Sequence, residues 1–475
     1  LESKKIVTGI KWAGIQFALD AVFRFSIRLI LARLLLPEQF GLIGMCMVFI
    51  SVAGAASELG IGEALIQKKN DARVKLMFST AFWSGIAWGL GLYLLMSFVV
   101  GPFVAYFYEE PLLIKIIPAL SIGIFLKPFT TIHMVILTRR MNFKKIAKAF
   151  NTASLVAGII AIGAAYIDFG VWALVINNVL AAVLALPLLL KSTKWIPSWE
   201  WKKMYFKEIF GFGAYSSGTR IFSTLTYNID NLIIGKMLGA SFLGAYTLAF
   251  SLTENLRQML SSVLNKVMYP VFGKNQDDKL KLKGYFLKII NLNAFAIYPI
   301  MAFFLVFAEE IILTLFGDKW EMAILPLQIL SVAMMVHLLV NSFTSIIRGL
   351  GKPKLELKII MGLNIFVLLP GLYLGTMYFG LVGATYAVVL HKIGLVISAV
   401  TILDKEIDLK FTEIFRAVRN PILMITACVI IIETIFHFTV LKNVMLLAAI
   451  YGILYIFIAY RTEKRMITQL IEKLK

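Results

Sequence analysis

Long apolar runs recur along the chain, separated by short polar breaks. Each run is about the ~20 residues that a helix needs to cross the hydrocarbon of a bilayer. The pattern predicts spans near 7–33, 40–66, 77–101, 112–136, 148–167, 170–190 and 209–236, then 241–268, 285–307, 323–347, 356–376, 380–401, 421–439 and 443–460. The expected fold class is therefore an all-α polytopic membrane protein of about fourteen transmembrane helices. Every second connection is basic, from Lys68, Lys69, Arg73 and Lys75 through Arg139, Arg140, Lys144 and Lys145 to the tail of Arg461, Lys464 and Arg465. The intervening connections are short, and several are acidic, as at Glu109-Glu110 and Glu309-Glu310. Lys and Arg are enriched in cytoplasmic loops, so this alternation predicts that both termini are cytoplasmic.

Composition agrees with the pattern. Of 475 residues, 60% are hydrophobic and only 16% are charged, which is too apolar for a soluble domain. A net charge of +20 suggests nucleic acid, but the basic residues punctuate spans and form no basic domain. A nucleic-acid partner is thereby excluded. Cys46 and Cys428 lie inside apolar runs and offer no redox or metal spacing. The four histidines fall on different spans, so no metal site is expected, and no GxxxxGK[ST] loop points to ATP. No cofactor is expected beyond a possible coupling ion, proton or sodium. Leu1–Lys5 lead straight into the first run, without the pattern of a cleavable signal peptide. No external connection is long enough to form a catalytic domain, which argues for a transporter rather than an enzyme.

The chain reads as a duplication. Residues 29–41, LILARLLLPEQFG, align with 232–244, LIIGKMLGASFLG. Farther on, Leu120-Ser121 matches Leu330-Ser331, and Phe169-Gly170 matches Phe379-Gly380, at a slightly larger offset. The expected organisation is an N-lobe at 1–190, a linker at 191–208, a C-lobe at 209–402, and two further spans with a basic tail at 403–475. Both repeats start on the same side, so the two six-helix lobes are pseudo-symmetric about an axis along the membrane normal. A substrate cavity between the repeats is the common arrangement. The linker, with Trp195, Trp199 and Trp201 among lysines, reads either as an interfacial segment or as a solvated connection.

Charged and polar residues inside the spans carry the candidate chemistry. An ionisable group at the bilayer centre is costly and usually faces a partner, a wet cavity or a substrate path. Gln16, Asp20, Arg24 and Arg28 fall at four-residue steps in the first span. Ser216, Arg220, Tyr227 and, farther on, Asp230 mark the seventh, and Glu254, Arg257, Gln258 and Ser261 share one face of the eighth. Lys127 lies in the fourth span, and His337 and Asn341 lie in the tenth. Asp20–Arg24 and Glu254–Arg257 are spaced for ion pairs along one helix, a structural alternative to a functional role. Arg28, Lys127 and Arg220 have no acid one turn away on their own helix, which makes them better candidates for holding an anion. Asp20, Asp230 and Glu254 are the candidates for taking up a coupling ion.

Two segments resemble a known family. The run SELGIGEALIQKKN at 57–70 resembles the end of the second span in Wzx-type polysaccharide flippases. RLILARLLLPEQFGLIGM at 28–45 looks like their first external turn. These flippases share a superfamily with multidrug and toxin extruders and the lipid II flippase. The resemblance implies two six-helix lobes around a V-shaped cavity, with two extra C-terminal helices, in the cytoplasmic membrane of a prokaryote. It implies transport of undecaprenyl-diphosphate-linked oligosaccharide by alternating access, with cavity cations gripping the diphosphate. By position, Arg24, Arg28 and Arg257 match such cations. It also implies membrane lipids and polysaccharide polymerase machinery as partners, and a chain that works as a monomer. A multidrug or cation extruder of the same superfamily is the alternative, and a membrane polymerase or ligase is a more distant one.

Overall fold

The computed structural model describes residues 22–58, 60–67, 72–438 and 444–462. Among them all regular structure is helical. By packing, the chain divides into two units, Leu1–Gly244 and Ala245–Lys475.

In the first unit, α1 (22–34) precedes α2 (Pro37–Glu58), and a break with Gly60 at φ 64° leads into α3 (Ile61–Gln67). The second predicted span, drawn as one helix, is therefore interrupted near its end. A positive φ is the conformation that glycine adopts without a Cβ penalty. Next come α4 (Ala72–Leu95), a π-turn (Met96–Val100), α5 (Gly101–Tyr108), α6 (Leu113–Arg139), α7 (Phe143–Tyr166) and α8 (Val171–Thr193). The seventh predicted span is also broken: α9 (Lys203–Tyr227) stops at Asn228, and α10 (Ile229–Leu238) follows. Asn228 turns its own side chain back, and its Nδ2 donates to the Thr224 carbonyl at 2.7 Å. Such side-chain bonds compete with the helical ladder.

Small residues set how closely these helices pack. Ala149, Ala153, Ala157, Ala161 and Ala165 form a buried stripe at four-residue steps on α7, which packs against α8. Stripes of this kind let membrane helices approach closely. On α4, Gly85 and Gly89 lie against the ring of Pro128 in α6; a Cβ at Gly85 would stand 2.9 Å from the Pro128 Cβ. The proline remains within a continuous helix, and its neighbour Lys127 is thereby set beside α2.

The linker is neither helical nor loose. Residues 194–202 run as a strap along α4. Trp83 Nε1 donates to the Ser198 carbonyl at 2.8 Å, and Trp201 Nε1 donates to Ser84 Oγ at 2.8 Å. Ser198 N donates to Ser79 Oγ at 3.0 Å, and Trp83 stacks on Trp199 with centroids 4.5 Å apart. Non-helical backbone near a membrane needs such partners.

The first unit closes on the start of α11 (Ala240–Lys274). Here α2 and α11 begin in direct backbone contact. A Cβ on Gly41 would lie 1.7 Å from the Ala240 carbonyl oxygen, and one on Gly244 would lie 1.9 Å from the Pro37 carbonyl oxygen. Gly41 aligns with Gly244, and Pro37 with Ala240, in the duplicated segments, so the contact is reciprocal. Beside it, Lys236 donates to Glu109 at 2.8 Å and lies over the Phe107 ring. The hydrogen bond and charge of Lys236 hold the Glu109 carboxyl below its ordinary value of 4.5.

The second unit continues α11 through α12 (Lys279–Val306), α13 (Ala308–Ile311), a π-turn (Ile312–Phe316), a 3-10 turn (Asp318–Ala323), α14 (Ile324–Leu338) and α15 (Phe343–Gly349). It ends with α16 (Pro353–Leu363), a π-turn (Asn364–Leu368), α17 (Leu369–Ile407), α18 (Phe411–Phe438) and α19 (Val444–Thr462). The tenth predicted span is interrupted at 339–342, between α14 and α15. α17 holds the end of one predicted span and all of the next, and turns at Gly380 with φ 57° and ψ −139°. Gly170, its repeat equivalent, caps α8 with φ 57° and ψ −132°. The weak sequence match at these two positions thus corresponds to one backbone conformation used twice. Likewise Ser121 and Ser331 are both fully buried.

Nine helical stretches among the described residues are long and apolar enough to span a membrane, and one of them, Pro353–Ile407, is long enough to do so twice. The remaining predicted spans fall on α1, α9, α11 and α19.

Candidate functional site

The C-terminal end of α2 organises the polar centre of the first unit. The last carbonyls of a helix have no partner inside it and carry the negative end of its dipole. Here Trp88 Nε1 on α4 donates to the Ala56 carbonyl at 3.0 Å, and the Gly54 carbonyl, which accepts from Ser57 Oγ within α2 at 2.7 Å, also accepts from Lys127 Nζ on α6 at 2.9 Å. Glu58, the last residue of α2, extends this negative end. Its carboxylate lies 2.8 Å from Lys127 Nζ and also pairs with the Arg220 guanidinium on α9. One carboxylate thus gathers two cations from two other helices, beside the break at Gly60. The three side chains are 33–39% exposed and line a cavity of about 480 Å³. Two positive charges against one negative leave a net positive site, and Arg is suited to bidentate contact with phosphate.

Glu58 was not among the site residues expected from the sequence. Lys127 and Arg220 lack an acid on their own helices, and that criterion overlooks a carboxylate contributed by a third helix. The available signal was a mid-span acid at the end of the SELGIG segment.

The second unit holds a differently built cluster. Glu254 and Arg257 form the ion pair along α11 that their spacing predicts. Arg257 Nε donates to Glu254 Oε2 at 2.8 Å, and Gln258 Nε2 donates to Oε1 at 3.0 Å. Arg257 Nη1 donates to Asn341 Oδ1 at 2.8 Å, and Asn341 lies in the break between α14 and α15. His337, one turn earlier, has a buried Nδ1 with no hydrogen bond among the described residues.

The other expected residues are more dispersed. Arg24 is exposed and Arg28 half-buried on α1. Asp230 is buried in the first turn of α10, where Oδ1 accepts from Asn231 N at 2.9 Å. Tyr227 is exposed at the end of α9. Gln16 and Asp20 lie outside the described residues. Ser216 and Ser261 lie on α9 and α11, and their side chains are likewise outside the description. Among the described residues, no group of three or more His, Cys, Asp or Glu could hold a metal ion.

Known proteins share both sequence and fold with this chain. It is 25% identical over 363 residues to the teichuronic acid biosynthesis protein TuaB of Bacillus subtilis, covering 74% of this chain and 73% of that one. It is 24% identical over 397 residues to the lipopolysaccharide biosynthesis protein WzxC of Escherichia coli, covering 82% and 79%. Its fold is similar to that of the lipid II flippase MurJ in an inward closed conformation, with a TM-score of 0.77 at 12% identity over 96% of this chain and 99% of that one. The profile of the family described as polysaccharide biosynthesis protein matches residues 30–325. With well over half of its length matched, this multi-pass membrane protein belongs to the polysaccharide biosynthesis protein family.

Proposed function

We propose that the protein is a flippase that moves undecaprenyl-diphosphate-linked oligosaccharide units across the cytoplasmic membrane of a prokaryote for polysaccharide biosynthesis. The observation that carries this reading is the meeting of Lys127 and Arg220 on Glu58 in an intramembrane cavity. Glu58 occupies the place that an anionic group would take. An arriving diphosphate brings more negative charge than the carboxylate and competes with it for both cations. A resting site with paired cations is less costly in the bilayer than one with bare cations.

The breaks at Gly60 in the first unit and at Asn341 in the second place irregular backbone beside polar side chains, as interrupted helices do in transporters. The lobes work by alternating access, with both termini cytoplasmic. Asp20, Asp230 and Glu254 are the proposed ion-coupling residues, for a proton or sodium, with the membrane potential as the other source of drive. Arg24, Arg28 and Arg257 are proposed as further cation stations on the path. The chain acts as a monomer and delivers its product to polysaccharide polymerase machinery.

The test is transport by the purified protein in liposomes. Translocation of a lipid-diphosphate-linked oligosaccharide, read by the accessibility of its sugar to an external lectin, supports the proposal. Movement of organic cations without lipid-linked sugar overturns it in favour of an extruder.

A further inference from the structure

The cavity around Glu58 is charged at one place only. Beyond that place its lining is apolar: Ile66 on α3, Leu126 and Met134 on α6, Phe150 on α7, and Ala182 on α8. Of the three threonines that also line it, two add little polarity. Thr130 and Thr131 each donate their hydroxyl to the Lys127 carbonyl, at 2.9 and 2.8 Å, so the hydroxyl protons are spent within α6. On α6 the lining runs from Gly123 to Thr138, about 22 Å at 1.5 Å per residue, and its part beyond Lys127 extends towards the helix end that carries Arg139.

This lining is ill-suited to an oligosaccharide. Each buried sugar hydroxyl needs a partner, and unpaired polar groups away from water are costly. It is well suited to an apolar chain attached to an anion. We propose that this cavity binds the phosphate-proximal isoprenoid stem of the lipid carrier, with the diphosphate at Lys127 and Arg220 and the sugars outside. The proposal rests on the flippase reading above and deepens it. It assigns the first unit to recognition of the lipid anchor rather than of the sugar. The occupant is a lipid part-way through its turn, with its head at mid-depth and its stem folded towards the basic end of α6.

Two positions allow the stem to be tested apart from the head. Met134 lines the cavity on α6 beyond Lys127 and is 37% exposed. Ala182 is half-buried in the opposite wall. Met134→Trp and Ala182→Phe narrow the apolar part and leave Glu58, Lys127 and Arg220 unchanged. The probes are farnesyl diphosphate, inorganic diphosphate and a soluble sugar nucleotide, with binding measured on purified full-length protein whose melting temperature matches wild type.

The proposal expects farnesyl diphosphate to bind wild type at least about tenfold more tightly than inorganic diphosphate. Both narrowing variants are expected to weaken farnesyl diphosphate about tenfold or more and to leave inorganic diphosphate within about twofold. Arg220→Ala is expected to weaken both. Equal affinity for the three probes overturns the stem assignment, as does unchanged farnesyl diphosphate binding in both narrowed variants. Absence of lipid-linked sugar transport by wild type, with the binding pattern intact, sinks the flippase reading alone.

Discussion

Each half of the chain carries a carboxylate that gathers cations inside the membrane, and the two are built in opposite ways. Glu58 draws its cations from α6 and α9, and its side chain is 37% exposed to a cavity. Glu254 is served by Arg257 and Gln258 from its own helix, and its side chain is 5% exposed. The alignment that pairs Leu120-Ser121 with Leu330-Ser331 also places Lys127 against His337. The alignment of the two external turns places Gly54, whose carbonyl receives Lys127, against Arg257. Equivalent places in the two repeats therefore hold different charges. A pair within one helix keeps its geometry when helices shift, whereas a pair between helices depends on where those helices lie. The contrast separates a pair that travels with its own helix from one that a ligand or a movement of neighbouring helices can open.

The strongest challenge to this contrast is Glu254→Ala. Removing one partner of a buried pair leaves the other uncompensated, which costs about 3–5 kcal/mol. The expected result is a large loss of thermal stability and, since Glu254 is a proposed ion-coupling residue, transport by the remaining folded molecules that no longer responds to an imposed proton or sodium gradient. Transport abolished without any loss of stability would erase the distinction.

Next in size are Lys127→Ala and Arg220→Ala. Hydrogen bonds to charged groups contribute about 1.5–3 kcal/mol each, so each variant should lose roughly 10- to 100-fold in initial transport rate. The double variant should lose more, while the melting temperature changes less than in Glu254→Ala. Liposome transport beside a thermal-shift measurement checks both. Equal rates in wild type and the double variant would remove the first-unit site from the path.

Gly41→Ala follows. Its Cβ would overlap the Ala240 carbonyl oxygen, and overpacking of this kind costs about 1–3 kcal/mol. Gly244→Ala, the equivalent change, should lower the melting temperature by a similar amount; a loss at only one of the two would break the reciprocity.

The smallest effect is at Glu109. Its carboxyl is held low by Lys236, so the stabilisation is fully present above the ordinary value of 4.5 and is lost as pH falls through the lower folded-state value. Glu109→Gln should therefore match wild type in strongly acid solution and be slightly less stable near neutrality, as thermal melts across pH would show.

Much of the fold is legible in the sequence because apolar run length fixes where a membrane helix can lie. The matched Phe169-Gly170 and Phe379-Gly380 share one backbone conformation, since a positive φ followed by a new helix favours glycine. The interruptions at Gly60, Asn228 and 339–342 were less legible, because they are decided by single side chains within continuous apolar runs. The Glu254–Arg257 pair could be read from its spacing, as both partners lie on one helix. The Glu58 site could be read only in part: its cations stand out, but their shared carboxylate depends on which ends of α2, α6 and α9 meet. The linker strap likewise depends on contacts with α4, more than a hundred residues earlier in the chain.

The contact at Gly41 and Gly244 has the form of an isologous interface, in which residue i touches j and its copy at j touches the copy at i. In a symmetric homodimer such a contact lies across the two-fold axis and uses the same patch of both subunits. Within a single chain it ties two similar segments, 29–41 and 232–244, to each other at the same position of each. Elsewhere the two halves are free to differ in charge, one carrying Lys127 and Glu58 and the other Arg257 and Glu254. The glycines have had no such freedom, because each is the space that the other repeat's backbone occupies.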